Sequence, residues 1–280
     1  VKPTEDDSPS TVGAKAANYG KIERILGNEL VHQGFAIDFD LYRTVVTQGG
    51  ADSIEEKMIK PLIKNVQDGK ISPRQANQEL GNIRAAIQNA EIPEDIINAL
   101  ISLSEDNDKY GSKGKNEKIR FRSSTNCEDL PRFNGAGLYL SEGIKLKHLR
   151  RLANPEKKQE SIIKVRETLM AVLASLWLPR AFWEREYFSI RHQDAALAVQ
   201  INPSFTDELA NGVIIANESE GKINYWINSQ FGEASVTNPG PGEIPESIKF
   251  KSSGTYVSAI LSDLEAQPPA VKGSSNIPPV

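Results

Sequence analysis

Cysteine occurs once in this 280-residue chain, at Cys127, which rules out an internal disulfide and suits a reducing compartment. Histidine is nearly as scarce. His32, His148 and His192 show no metal-like spacing and no cysteine partner, so each is expected to be a surface or structural residue. No apolar run reaches the length of a bilayer span, and "VKPTEDDSPS" carries no signal-peptide pattern. A long basic run is also missing, and the formal net charge is −4, which argues against nucleic acid as the main partner. There is no GxxxxGK[ST] loop, and no Ser-His-Asp set can be assigned. These absences predict a cytoplasmic protein with no membrane and no nucleic-acid partner. The start at Val1 rather than methionine raises the expectation of a processed or excised chain.

What is present reads as a globular protein large enough for a substantial core, at 39% hydrophobic and 25% charged residues. Residues 1–10 are polar and read as a mobile arm. A helix is predicted from Ala14 to Leu26, with Gly27 just past its end. "GFAIDFDLYRTVV" mixes a short strand with a helix start, and Ser53, Ser72 followed by Pro73, and Pro93 open further helices. Residues 104–117 form a charged loop. "KIRFRSS" reads as a strand. Asn154 caps a long helix whose apolar positions Ile162, Val165, Leu169, Val172, Leu173 and Leu176 share one face, until Pro179 breaks it.

After Arg191 the texture changes. "AALAVQI", "GVIIA", "KINYWI" and "EASVTN" are strand-like runs separated by Gly, Asn and Pro. The expected fold is α/β (α+β) with two lobes, the first helix-rich and the second mainly antiparallel. The boundaries are a first lobe at 11–190, a second lobe at 191–265 and an extended or disordered tail at 266–280.

Three places carry candidate chemistry. In "RFRSSTNCEDLPRFNGAGLYLS", a strand ending at Arg122 would deliver a guanidinium to the sheet's carboxyl end, where α/β sheets bind ligands. Arginine's donor fork suits phosphate oxygens. Ser123, Ser124, Thr125 and Asn126 add short donors, and Gly135 and Gly137 allow close backbone approach. The sum is an anion site; the alternative is a polar loop whose side chains cap their own backbone. In "GAKAAN", Lys15 sits in a first helical turn, where a cation opposes the helix dipole unless an anion lies near; the alternative is a solvated lysine. Gln200, ending an apolar strand, can face a ligand or cap a sheet edge. Cys127 beside Glu128 should have a raised thiol pKa, and Trp177, Phe182, Trp183 and Tyr187 read as core and inter-lobe packing.

Taken in order, "VGAKAAN", "GFAI", "RSSTNCEDLPRFNGAGLYLS", "ASLWLPRAFWER", "AVQINP" and "FGEASVTNPGPGEIP" resemble the N-terminal nucleotide-binding domain of a known superfamily. It comprises phosphoenolpyruvate synthase, pyruvate phosphate dikinase and rifampin phosphotransferase. The resemblance spans about residues 11–250. It implies an ATP-grasp-like fold with nucleotide between two lobes, and Mg2+ to offset the triphosphate charge. By matching positions it implies that Lys15 and Arg122 contact ATP phosphates as the catalytic candidates. Gly137 and Ser141 would lie in the loop over the phosphates, with Gly135 and Ser123 beside them, and Gln200 would line the nucleotide pocket from the second lobe. It further implies that ATP phosphorylates a histidine on another domain, which passes phosphate to pyruvate or another small acceptor. Ala14 and Gln33 depart from the family's frequent glycine and proline. The family's later Asp-x-Glu-like and Gln-x-Arg-Pro elements have no counterpart here, since Asp263 and Glu265 lack a strand context. The expectation is therefore part of a larger ATP-dependent phosphotransferase, incomplete as an isolated chain. The alternative is a non-catalytic nucleotide-binding or scaffold module.

Overall fold

The computed structural model describes residues 9–27, 30–31, 34–105, 118–128, 137–204, 208–219, 222–232 and 243–252, with 130, 133, 135, 236 and 240 singly. The expected loop at 104–117 falls outside these residues except for Ser104 and Glu105, and the expected tail at 266–280 falls outside entirely. Two compact units part after Ser204.

The first unit begins with α1, Pro9–Leu26, so Pro9 and Ser10 belong to a helix and not to an arm. The first turn is separated from the rest by a kink at Gly13, with φ 78° and ψ 167°, and Gly27 closes the helix in a left-handed conformation as predicted. Next come β1, Phe35–Ile37, and α2, Phe39–Thr47, capped by Asp38, which accepts from the Asp40 amide. A π-helical turn at Glu55–Ile59 leads into α3, Lys60–Gln67. Then α4, Pro73–Asn89, starts from a reciprocal capping box in which Ser72 and Gln75 satisfy each other's backbone. Its Ala76, Leu80, Ile83 and Ile87 repeat at helical spacing and are all buried. Helix α5 is Glu94–Glu105.

Strands β2, Lys118–Thr125, and β3, Ser141–Lys145, follow, then the short α6, Leu146–Arg150. The long α7, Pro155–Ala174, is capped by Asn154, and its Val165, Leu169, Val172 and Leu173 are buried against the sheet and α4. Each of these fully buried aliphatic side chains contributes roughly 1.5–3 kcal/mol. Pro179 starts α8, Pro179–Tyr187, as the break after α7 predicted. Strand β4, Leu197–Ser204, ends the unit.

The sheet order is β1-β4-β2-β3, antiparallel throughout. That order corrects the lobe boundary expected near residue 190. Strand β4 sits between β1 and β2 at the centre of the first unit's sheet, and its eight residues are almost all buried. A texture change at Arg191 was visible in the sequence, but which sheet a strand joins is a tertiary fact.

The second unit contains a three-stranded antiparallel meander. Its strands are β5, Ala210–Ser219; β6, Lys222–Phe231; and β7, Glu246–Ser252. Strand β7 had no counterpart in the sequence reading. The expected "EASVTN" strand lies outside the described residues except for Val236, which is in a bend.

Candidate functional site

Alternation along β2 divides the motif between two faces of the sheet. Ile119, Phe121, Ser123 and Thr125 are buried on the face that α7 covers. Lys118, Arg120, Arg122 and Ser124 point to the other face. Helix α1 lies on that second face, because the Ser124 Oγ donates to the Val12 carbonyl (2.7 Å) and accepts from the Ala16 amide (3.0 Å). Gly13 makes the approach possible. A Cβ there would stand 2.4 Å from the Ser124 carbonyl carbon and oxygen.

The register then brings three of the expected residues together. Arg122 pairs with Gln200 on β4 and with Ser141 on β3. Directly opposed residues of antiparallel strands project to the same face. Ser141, Arg122 and Gln200 therefore form one row across the sheet, continued by Ala36 on β1, which packs under α1 with Val12, Ala16 and Ala17. Arg122 and Ser141 are exposed and Gln200 is buried. Gln200 thus belongs to the same sheet as Arg122 and does not reach it from a second lobe. Burial raises the Tyr19 phenol pKa against an opposing pull from Arg122, so α1 brings this ring within the field of the guanidinium.

Lys15 and Gly135 converge on Glu128 instead. The Lys15 Nζ lies 2.6 Å from Glu128 Oε1, and Glu128 Oε2 accepts from the Thr125 amide at 3.1 Å. Gly135 packs so tightly on the Glu128 side chain that a Cβ there would approach Cγ to 2.7 Å. The anion that the early lysine calls for is this buried carboxylate. Gly137 is exposed, has φ 79°, and among the described residues no atom lies within 4 Å of where its Cβ would stand. That conformation favours glycine.

Ser123 does not join the row. It is fully buried on the α7 side, so it is not placed to touch a ligand on the α1 face. The neighbouring hydroxyl and amide groups serve the protein's own backbone, as the alternative sequence reading held. Ser124 brackets α1, the Thr125 Oγ1 accepts from the Cys127 amide, and Asn126 ties the end of β2 to the approach to β4 through the Asp194 carbonyl and the Ala196 amide. Cys127 is buried, and burial foremost raises its thiol pKa, with Glu128 adding to it and Arg185 opposing.

A second cluster was not anticipated in the sequence. Arg185 is fully buried. Its Nε donates to His192 Nδ1 (3.2 Å) and its terminal nitrogens to the Leu176 carbonyl (2.8 Å) and the Tyr139 hydroxyl (3.5 Å). Because arginine only donates, Nδ1 of His192 must accept, so its Nε2–H donates to Glu186 Oε2 at 2.7 Å. The imidazole stacks on Phe182 with centroids 4.0 Å apart. Ser189, at φ 56°, ends α8 and turns the chain so that His192 returns to Arg185. The only sequence signal for this cluster was an arginine among aromatics.

Burial and the Arg185 charge, outweighing Glu186, push the His192 pKa down to about 4. A histidine held neutral in the fold stabilises it fully above its ordinary pKa near 6.5 and progressively less as pH falls toward 4. Unfolding free energy is expected to drop by about 2 kcal/mol between pH 7 and pH 5 from this residue. Urea titrations at the two pH values check it. A His192→Gln variant should lose most of that difference, and an identical pH dependence in the variant would refute the assignment.

A search of the curated proteins found no match. The model of one family, described as the pyruvate phosphate dikinase AMP/ATP-binding domain, matches residues 9–240. That span takes in α1 with Lys15, the whole four-stranded sheet, the glycine loop and the first two strands of the second unit. This chain belongs to the pyruvate phosphate dikinase AMP/ATP-binding domain family.

Proposed function

We propose that this chain binds ATP with its phosphates over the Ser141–Arg122–Gln200 row, as the nucleotide-binding part of a dikinase-type phosphotransferase. The observation that carries the reading is the register that sets Arg122 between Ser141 and Gln200 on one face, beside α1. A planar donor fork flanked by a hydroxyl and a carboxamide suits phosphate oxygens and their neighbours. Lys15 supplies a second cation from α1; its Glu128 partner holds it in place and would share it with a phosphate. The open turn at Gly137 offers backbone N–H groups to the same ligand. In the family's chemistry, positioning and charge neutralisation do most of the work of phosphoryl transfer. On this reading a histidine on another domain receives the phosphoryl group and passes it to a small acceptor such as pyruvate. An ATP-grasp-like fold belongs to the same proposal.

Among the described residues no three His, Cys, Asp or Glu side chains gather as a metal-ligand set. No residue is therefore assigned to magnesium, which the nucleotide's own phosphates would carry.

Calorimetry tests the reading. Mg-ATP is expected to bind with a dissociation constant in the micromolar range and to be preferred over AMP, with adenosine weakest, because the row recognises phosphate. Absence of binding by the folded chain at millimolar Mg-ATP would overturn it.

A further inference from the structure

The glycine loop is held along one side by a single helix. The Arg180 Nε, on the first turn of α8, donates to the Leu138 carbonyl at 2.8 Å. The Leu138 amide in turn donates to the Gly135 carbonyl at 3.2 Å, closing the turn that carries Gly137. Further along α8, Arg185 donates to the Tyr139 hydroxyl. Phe188, just past the helix end, packs edge-on against Phe133 with centroids 5.6 Å apart. Contacts at the helix start, middle and end thus fall on residues 138, 139 and 133 of the loop.

We infer that α8 moors the glycine loop, and that Arg180 and Arg185 are positioning residues for the phosphate-facing turn. The inference rests on the proposed ATP site but adds a role for a helix that contributes no residue to the row. Arg185 is suited to it because it cannot move. Its fork is committed to the Leu176 carbonyl and His192 while fully buried, and Leu176 lies in the short turn that follows α7. The chain of contacts therefore runs from the core through Arg185 to Tyr139. Arg180 differs in being exposed, with its one hydrogen bond among the described residues going to Leu138. Its loss should cost the fold little. The turn, however, would lose the contact that ties the Leu138 carbonyl to α8. Among the described residues none comes within 4 Å of a Cβ placed on Gly137, so none of them occupies that side of the turn, where a ligand would sit.

The test compares wild type, Arg180→Ala and Arg180→Lys for binding of Mg-ATP and of adenosine, and for amide exchange at residues 137–141. Arg180→Ala is expected to weaken Mg-ATP about fivefold, the worth of one charge-assisted hydrogen bond felt indirectly. Adenosine affinity should stay unchanged and amide exchange at Leu138–Ser141 should rise about tenfold, the size of a lost bond of about 1.4 kcal/mol. Arg180→Lys should recover part of both effects. Equal losses for Mg-ATP and adenosine would indicate general destabilisation and overturn the inference, as would unchanged ATP affinity. Should wild type bind no Mg-ATP, the ATP reading fails by itself. The mooring then stands or falls on amide exchange, with raised exchange supporting it and unchanged exchange refuting it.

Discussion

Arg122→Ala is expected to weaken Mg-ATP binding about thirtyfold, or roughly 2 kcal/mol, while leaving the melting temperature within about 2 °C of wild type. The magnitude follows from the group lost. A guanidinium bonded to phosphate oxygens makes charge-assisted hydrogen bonds, each worth about 1.5–3 kcal/mol when a partner is removed. The small effect on stability follows from position, since Arg122 is exposed on its strand whereas its neighbours Phe121 and Ser123 are buried. Arg122→Lys keeps the charge but loses the planar fork, so it should fall between, at about a fivefold loss.

The informative control lies two residues back. Arg120 projects from the same face of β2, opposite Gly143 and Asn202, one pair removed from the row. If recognition depended on diffuse positive potential, Arg120→Ala would cost as much as Arg122→Ala. If the row is the phosphate site, Arg120→Ala should change affinity by less than about twofold at physiological salt, where such a charge is partly screened. Titration calorimetry on the three variants decides between the two, and equal losses for Arg120→Ala and Arg122→Ala would refute the specific placement.

Much of the first unit was legible in the sequence because its signals are local. Ser72 followed by Pro73, Asn154 followed by Pro155, and Gly27 at the end of α1 each act within a turn of their own position, and the structure uses all of them as caps or stops. The strand "KIRFRSS" was equally local, but β2 runs on to Thr125, so Arg122 lies within the strand and not at its end as expected, because where pairing stops is set by the partner strand β4. What the sequence could not supply was partnership. Gln200 reads as the end of an apolar strand, but nothing near it says that β4 lies between β1 and β2, or that the register sets it opposite Arg122. The same limit explains Ser123. Its neighbours in the sequence are ligand-like, yet pleating sends it to the opposite face from Arg122 and into the core. Glu128 fixes the loop locally, through the Thr125 amide. Its partnership with Lys15, 113 positions earlier, depends on where α1 docks. The Arg185 cluster was invisible for another reason. A buried arginine carries no periodic signature, and its partners Tyr139, Leu176 and His192 come from three separate stretches of chain.

That docking of α1 supports the largest expected stability effect. Gly13→Ala is expected to destabilise the protein by about 4 kcal/mol, from two separable causes. At φ 78° and ψ 167° the Gly13 backbone occupies a region essentially reserved for glycine, which costs a side chain about 1–3 kcal/mol. The added Cβ would also stand 2.4 Å from the Ser124 carbonyl, an overlap that a flexible side chain could relieve but a strand backbone cannot. Ser124 is paired with Ala198 near the end of β2, and its hydroxyl already bridges Val12 and Ala16. The strand is fixed, so α1 must lift, and the Lys15–Glu128 pair would separate with it. Gly27→Ala isolates the first cause. It shares a positive φ, at 75°, but among the described residues has no atom within 4 Å of its added Cβ, so it should cost only about 1 kcal/mol. Chemical denaturation of both variants measures the difference, which is the steric share plus the greater backbone cost of the Gly13 conformation. If Gly13→Ala cost no more than Gly27→Ala, α1 would not be seated on Ser124 as described, and Lys15 would lose its claim to a place beside the row. If the larger cost appears, the variant should also bind Mg-ATP more weakly than its remaining folded fraction explains, because the lysine that α1 delivers would have moved.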